Sequence, residues 1–248
     1  MDSDQHRQRK YYQGVEQNLE AMAVQYGQGW TMRLYHNLAA SHPLHPDLSC
    51  LASSHSQLDL CYVPQLPQAV KPDATALDPM MWRFLPSLDP QVDVLLSRDL
   101  DSRLTSREAA AVQEWLESGR AVHSMRDHAS HQMPMMGGMW GTRLTQPGVR
   151  QKWRSAWQRM RTDSVITVGR YSYDQSMLEL YVWPWARDDS LEHDSYTCHI
   201  FPRSVGFPTE RRDEPENFVG NAVSENSHLW RICPLQCRRK GQPDWQYC

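Results

Sequence analysis

The sequence has 248 residues, enough for one large domain or two small ones with a sizeable hydrophobic core. Its 26 lysines and arginines nearly balance 29 aspartates and glutamates, and the formal net charge of −3 argues against a nucleic-acid-binding protein, which needs a strongly basic face. Ten tryptophans and ten tyrosines are too many for a disordered chain. No apolar run approaches the ~20 residues of a transmembrane helix, so we expect a soluble globular protein without membrane contact.

The two ends of the sequence point to different compartments. The first residues, MDSDQHRQRK, contain no apolar segment and do not form a signal peptide. Six cysteines are nevertheless present, and Cys233, Cys237 and Cys248 lie near the C-terminus, where they could form disulfides, bind zinc together with His228, or remain free thiols. Disulfides require a secretory compartment. We therefore expect a longer parent protein that resides in the Golgi or another secretory lumen, with a targeting signal that this chain lacks.

The predicted elements begin after a tail, residues 1–10, that is expected to be disordered. Residues 11–26 place apolar side chains on one helical face, and residues 30–35 alternate in the manner of a strand. A helix that precedes the first strand indicates an α/β domain whose own N-terminal strand is missing. Residues 36–72 are rich in proline and are predicted to hold one strand, at 58–63.

Strands and helices alternate through the rest of the chain. Thr105 and Glu108 form a capping box, which predicts the start of a helix that Gly119 ends. This alternation predicts an α/β domain over residues 11–220 with a mainly parallel central sheet, followed by a cysteine-containing extension at 221–248 that packs on the domain. The predicted strands are 92–97, 121–125 and 195–201, and the predicted helices are 77–85, 105–119, 148–160 and 174–182.

Asp99 and Asp101 carry the strongest chemical signal, because they directly follow the apolar strand 92–97. In open α/β sheets, ligands bind at the carboxyl ends of strands. Two carboxylates there could bind one hard divalent cation, Mg²⁺ or Mn²⁺, which would in turn neutralise a diphosphate. The alternative is a solvated loop in which Arg98 and Arg103 pair with these aspartates.

Three further features of the sequence support the interpretation of Asp99 and Asp101 as a metal site. Gly137 and Gly138 would let a ligand approach the backbone, although they also suit a tight turn. Asp174, followed by Gln175, could act in catalysis or simply cap a helix. His193 could complete a metal site or be a structural histidine.

The ordered set D-x-D, G-G, D-Q and H resembles the glycosyltransferases of the GT-A fold, in the glycogenin-like and galactosyltransferase-like branch. The blocks S-R-D-x-D-S-R and G-G-M-W-G also resemble uncharacterised glycosyltransferase-like proteins of animals and of bacterial polysaccharide loci. The resemblance extends from about Tyr11 to the C-terminus. It implies a GT-A-like three-layer sandwich and transfer of a sugar from a nucleotide-diphosphate donor to a hydroxyl of a glycan or protein.

The resemblance also implies roles for individual residues. Asp99 and Asp101 would bind Mn²⁺ or Mg²⁺ and, through it, the donor diphosphate, with His193 as third metal ligand. Gly137 and Gly138 would line the donor sugar. The catalytic pair would be Asp174 and Gln175, and the diphosphate contacts would come from Arg83 and Arg98, whose guanidinium forks suit phosphate.

The resemblance in motif order favours the retaining branch of this family. If the reaction instead inverts the anomeric centre, Asp174 is the candidate general base. Two other interpretations compete with this one. A haloacid-dehalogenase-type phosphotransferase also has D-x-D after a strand, but it requires threonine or valine where Arg103 stands, and a downstream lysine for which Lys152 is the sole candidate before Lys240. A truncated, inactive relative that only binds carbohydrate would keep the fold without turnover.

Overall fold

The computed structural model describes residues 3–67, 78–162, 172–211, 218–222 and 232–248. The chain is a mixed α/β protein, as the alternation of elements predicts. Its strands form two sheets rather than one. The strands are β1 Met32–His36, β2 Leu58–Tyr62, β3 Val94–Arg98, β4 Val122–Arg126, β5 Met139–Arg143 and β6 Ser190–Asp194; the helices are α1 Ser3–Gln25, α2 His45–Ser54, α3 Ser106–Ser118, α4 Val149–Met160, α5 Tyr173–Met177 and α6 Trp183–Ala186.

The N-terminal sheet contains only β1 and β2, which pair in parallel and are connected through α2. Helix α1 begins at Ser3, within the segment expected to be a tail, and its apolar face is the predicted one. Val15, Leu19 and Met22 are buried against α2 and β2. Burial of this face, rather than helix propensity, stabilises a helix of such polar composition.

The larger sheet has the strand order β3–β5–β4–β6. Strands β3, β4 and β6 run parallel to one another, while β5 runs antiparallel to both of its neighbours. The prediction of a mainly parallel sheet therefore holds for three strands. It missed β5, and it placed the last strand at 195–201, whereas β6 occupies residues 190–194 and residues beyond it form turns.

Helices pack on both faces of this sheet, because successive side chains of a strand point to opposite faces. On one face, Trp115 of α3 stacks on His123 of β4 with ring centroids 5.3 Å apart. On the other face, Trp153 of α4 stacks on Trp140 of β5 at 4.9 Å and donates a hydrogen bond to Thr142 at 3.0 Å. Much of the central core lies between α4 and the sheet.

Local sequence explains the ends of α3. The side chain of Thr105 accepts a hydrogen bond from the backbone N–H of Glu108 at 3.1 Å, which confirms the predicted cap. Gly119 ends the helix with φ of 73°, a left-handed conformation that favours glycine. The helix is thereby fixed between the acidic loop that follows β3, residues 99–104, and the start of β4.

Two disulfides involve the C-terminal segment: Cys198–Cys237 joins it to the turns that follow β6, and Cys233–Cys248 closes a loop within the segment itself. Of the alternatives for these cysteines, the structure adopts disulfides, while Cys50 and Cys61 are free thiols. His228 lies outside the described residues. Within the ranges given above, no helix has the length and apolar character needed to cross a bilayer.

Arg126, at the end of β4, offers a test of the polar interior. Its side chain is fully buried and donates to Asp194 at 2.8 Å and to Glu192 at 2.7 Å. We expect Arg126→Leu to lower the free energy of unfolding by about 3–5 kcal/mol, because two buried carboxylates would lose their cation. Urea unfolding at pH 7 measures this.

The matched control for that change is Arg203→Ala. Arg203 pairs with Asp188 at 3.0 Å, but both side chains are more than half exposed. Its loss should cost less than about 1 kcal/mol. Equal costs for the two arginines would contradict the assignment of Arg126 as the internal counter-ion of the sheet.

Candidate functional site

The candidate site lies where β3 ends and β5 begins, at one edge of the larger sheet. Arg98 is the last residue of β3 and pairs with Met139, the first residue of β5. One step beyond that pair, the chain places Asp99 opposite Gly138. The hydroxyl of Ser97 donates to the carbonyl of Gly137 at 2.9 Å and holds the glycine segment against β3.

Arg83 connects two of the predicted carboxylates. It lies on a 3-10 helix, Pro79–Leu88, whose apolar side chains are buried beneath the sheet edge. Its Nη2 donates to Oδ1 of Asp99 at 2.9 Å, and its Nε lies 3.2 Å from Oδ2 of Asp174. One guanidinium thus neutralises carboxylates that are 75 residues apart in the sequence (99 and 174).

Both glycines are needed for this close packing. A Cβ on Gly138 would overlap the carboxylate of Asp99, and a Cβ on Gly137 would overlap that of Asp174 and lie 2.9 Å from Nη1 of Arg83. The segment therefore forms one wall of the site, with its backbone directly against the charged groups.

Asp174 is the buried member of the group. It lies in the first turn of α5, where its side chain is 5% exposed, against 46% for Asp99. Burial raises the pKa of Asp174, and the nearby Asp99 raises it further, while Arg83 and the backbone N–H of Gln175 act in the opposite direction. Gln175 itself is half-buried beside it. A carboxyl of this kind holds a proton more readily than a surface aspartate.

The structure gives Asp101 and Arg98 other partners. Asp101 forms its ion pair with Lys10 of α1, at 3.7 Å, and not with Arg83. Arg98 turns toward α3, where it pairs with Glu108 and donates to the carbonyl of Trp140 at 3.0 Å. Its guanidinium is part of the sheet–helix interface, which does not favour the diphosphate contact expected from the sequence.

His193 lies far from the aspartates, on β6, which β5 and β4 separate from β3. Three inter-strand spacings amount to about 14 Å. His193 is fully buried; its Nε2 is 3.2 Å from a carboxylate oxygen of Glu114 and its Nδ1 is 2.8 Å from Nε2 of His123. Because the carboxylate accepts from Nε2, the neutral ring accepts at Nδ1, so both ring nitrogens are engaged.

Electrostatics agree with this assignment. Burial lowers the pKa of both His123 and His193, which keeps the two rings neutral. Hydrogen bonds from His193 and from Arg239 lower the pKa of Glu114 to about 2. The pair of imidazoles and the ionised Glu114 form a structural network beneath α3, and the third metal ligand expected from the sequence is not available at the aspartates.

Two further groups lie near this edge: the sequence marks Asp127 as a strand-end residue that could line an acceptor cleft, and it gave no such indication for Asn18. Asp127, which follows β4, is fully buried and accepts from Nε and Nη2 of Arg107 at 2.8 and 2.9 Å. A strand-end aspartate was visible in the sequence, but its partner was not. Asn18 of α1 contacts the acidic loop. Its position three residues after Val15, on the apolar face of the helix, is the feature of the sequence that could have indicated its burial.

The overlap at Gly138 yields a prediction for Gly138→Ala. The added methyl group should push the carboxylate of Asp99 away from Arg83 and lower the free energy of unfolding by about 1 kcal/mol through loss of a charge-assisted hydrogen bond. Gly29→Ala is the matched control, because a Cβ there meets nothing within 4 Å. In an Asp99→Ala background the cost should largely disappear, and an undiminished cost would show that the methyl group clashes elsewhere.

The raised pKa of Asp174 predicts a pH dependence of stability. An acid whose pKa is higher in the folded state than in the unfolded state binds more protons when folded, so stability falls as pH rises through that range. Asp174→Asn removes this penalty. In urea unfolding, the free energy of unfolding of the variant, relative to that of the wild type, should therefore increase from pH 4 to pH 7. A relative free energy that decreases over this range would mean that the effect of Arg83 on the pKa of Asp174 outweighs that of burial.

Chemically, the edge offers a guanidinium, a half-exposed carboxylate and a buried carboxyl, packed against the buried backbone of the two glycines. Over the ranges that the structure describes, no group of three or more histidine, cysteine, aspartate or glutamate side chains could hold a metal ion. No protein-family model, curated protein or solved structure matches the chain. Its function must be inferred from this site.

Proposed function

We propose that the protein is a glycosyltransferase of GT-A type, which transfers a sugar from a nucleotide-diphosphate donor to a hydroxyl of a glycan or protein. The observation that carries the proposal is the convergence of Arg83, Asp99, Asp174 and the glycine pair at the carboxyl edge of β3. The sequence motifs select these same residues, although they lie far apart in the chain. Strand ends are also where α/β sheets bind ligands.

The donor diphosphate would be recognised by Arg83. Its Nη1 is buried and has no hydrogen-bond partner among the described residues, and Nε, though close to Asp174, is also without a hydrogen bond there. A buried donor without an acceptor is costly, and a phosphate oxygen would satisfy it. As negative charge develops on the leaving diphosphate, a guanidinium at this point would stabilise it.

A divalent cation fits this site only in part. The three-ligand set of Asp99, Asp101 and His193 does not fit, because His193 is held by Glu114 and His123. The two aspartates alone suit Mg²⁺ or Mn²⁺, which are commonly held by one or two carboxylates together with substrate phosphates. Such a cation would supply neutralisation of the diphosphate.

Asp174 and Gln175 would act on the reacting sugar. If the reaction inverts the anomeric centre, the raised pKa of Asp174 makes its carboxylate suited to accept the proton of the acceptor hydroxyl. In a retaining reaction no separate base is required, and Asp174 would instead hold Arg83 in place. Gly137 and Gly138, which form the wall beside Asp174 and Asp99, would line the donor sugar.

The disulfides support a further part of the proposal, namely that the protein works in an oxidising lumen such as that of the Golgi. Cys198–Cys237 joins the C-terminal segment to the turns after β6, and Cys233–Cys248 cross-links the segment internally. Such bonds persist in secretory compartments and are rare in the cytosol.

The proposal predicts release of a nucleoside diphosphate when the full chain is incubated with Mn²⁺ and a panel of nucleotide sugars. Asp99→Asn and Arg83→Ala should each lower the rate by about 100-fold or more, because Arg83 would contact the leaving diphosphate and Asp99 would hold the cation that neutralises it. Asp188→Asn, an exposed surface change, is the control and should leave the rate unchanged.

Two results would contradict the proposal that the protein catalyses glycosyl transfer. Donor binding without release would favour a carbohydrate-binding relative, an alternative that the neutralisation of Asp99 and Asp174 by Arg83 supports. Absence of both binding and release across the panel would overturn the proposal.

A further inference from the structure

Helix α1 is followed by a tight turn that brings two aromatic rings together. The helix ends at Gln25, and Gly27 has a φ of 71°, a left-handed conformation that favours glycine. Gln57 holds the turn, because its Nε2 donates to the carbonyls of Gly27 and Trp30 at 3.0 and 2.9 Å. The rings of Tyr26 and Trp30 lie 5.5 Å apart, inclined to each other by 60°.

A cavity of about 290 Å³ lies between this turn and α3. Its lining comes from the end of α1, the turn and one face of α3, namely Gln25, Tyr26, Trp30, Ala109, Ala110, Val112, Gln113 and Leu116. The two alanines leave room that longer side chains would fill. The volume is at the lower end of the range for ligand pockets, about 300–1,000 Å³, and suits a ligand of one small ring.

The charge of the lining restricts the kind of ligand. Among the described residues that line the cavity, none carries a charge. Glu108 lies behind the ring of Tyr26 and accepts from its hydroxyl at 2.9 Å, but this carboxylate is ion-paired with Arg98. A lining without a cation or a free carboxylate does not favour a phosphate, a nucleotide or a metal ion, so the cavity suits a neutral ligand.

The side chains of the lining match the chemistry of a sugar ring, which has C–H groups on its faces and hydroxyl groups around its edge. Tyr26 and Trp30 offer apolar ring surface against which a C–H face can pack. Gln25 and Gln113 offer amide groups, which both donate and accept hydrogen bonds as hydroxyls require. Gln113 lies on the exposed side of the cavity, and its Nε2 donates to Glu117 at 2.7 Å, which orients the amide.

We propose that this cavity binds a neutral saccharide, one ring of a glycan, with Tyr26 and Trp30 packed against the ring and Gln113 paired with its hydroxyls. The lining shares no residue with the group formed by Arg83, Asp99 and Asp174. The inference therefore goes beyond the proposed function and does not depend on turnover. A transferase would use such a cavity to hold its acceptor glycan, and a carbohydrate-binding relative would use it for binding alone.

The test uses the full chain with glucose, galactose and N-acetylglucosamine as separate probes, in saturation-transfer-difference NMR. A ligand of this size should bind with a dissociation constant of about 0.1–10 mM. The indole N–H signal of Trp30 reports the location, because it is identified in ¹⁵N-labelled protein by its absence in Trp30→Phe. Saccharide binding should shift this signal, and inorganic phosphate should not.

Two substitutions test the cavity without removing its aromatic rings. Ala110→Leu fills the space and should weaken binding by about tenfold or more, because a packed interior leaves no room for a second group. Gln113→Ala should weaken it by about twofold to tenfold through loss of a hydrogen bond. Gln151→Ala, which removes an exposed glutamine of α4, is the matched control and should leave the affinity unchanged.

Thermal unfolding shows whether the variants fold. Ala110 is half-buried and Gln113 is exposed, so both variants should keep the Tm of the wild type to within a few degrees. A folded Ala110→Leu that binds the saccharide with wild-type affinity would overturn the inference, and so would the absence of binding to all three sugars.

Arg83→Ala separates this cavity from the edge of β3. Saccharide binding should persist in this variant, and its loss would place the sugar beside Asp99 and overturn the inference. A Trp30 signal that shifts with protein concentration alone would also overturn it, by showing that a second copy of the chain fills the cavity. Saccharide binding at Trp30 without release of nucleoside diphosphate would contradict the proposed function and support the cavity.

Discussion

Antiparallel pairing of β3 with β5 is the constraint on which the site depends. The pair Arg98–Met139 fixes the register, and the register determines that Asp99 meets Gly138 and that Ser97 reaches Gly137. A slip by one residue would reverse the faces of β5 and move Trp140 out of the core. Since Trp140 is fully buried against α4, the hydrophobic core and the polar edge impose the same register. Packing of the interior thereby sets the geometry of the charged groups.

Much of the fold could be predicted from local signals, and the failures have a physical reason. The cap of α3 and the apolar face of α1 follow from spacing and side-chain chemistry. Strand β6 could not be predicted in this way, because its residues Glu192, His193 and Asp194 are polar and yet buried. Their burial depends on Arg126 and Glu114, which are distant in sequence, so no hydropathy pattern marks the strand. Strand β5 lacks alternation because both of its faces are covered.

The candidate site was predictable to the extent that it consists of residues at strand ends. Asp99 and the glycine pair meet because the end of β3 and the start of β5 share one edge. The position of His193 was not predictable, since the order of motifs along the chain carries no information on the order of strands in the sheet. Nor was the contact of Asn18 with residues 102 and 104, which joins segments more than 80 positions apart.

The C-terminal segment has a consequence for the order of folding. Arg239 is the cation that pairs with Glu114, and the backbone carbonyl of Cys248 accepts hydrogen bonds from Arg107 and Ser195. These contacts join positions up to 141 residues apart, and such contacts form late because long loops must close first. During synthesis, the polar groups at this edge therefore stay exposed to water until residues 232–248 dock, and oxidation of the cysteines then retains the docked state.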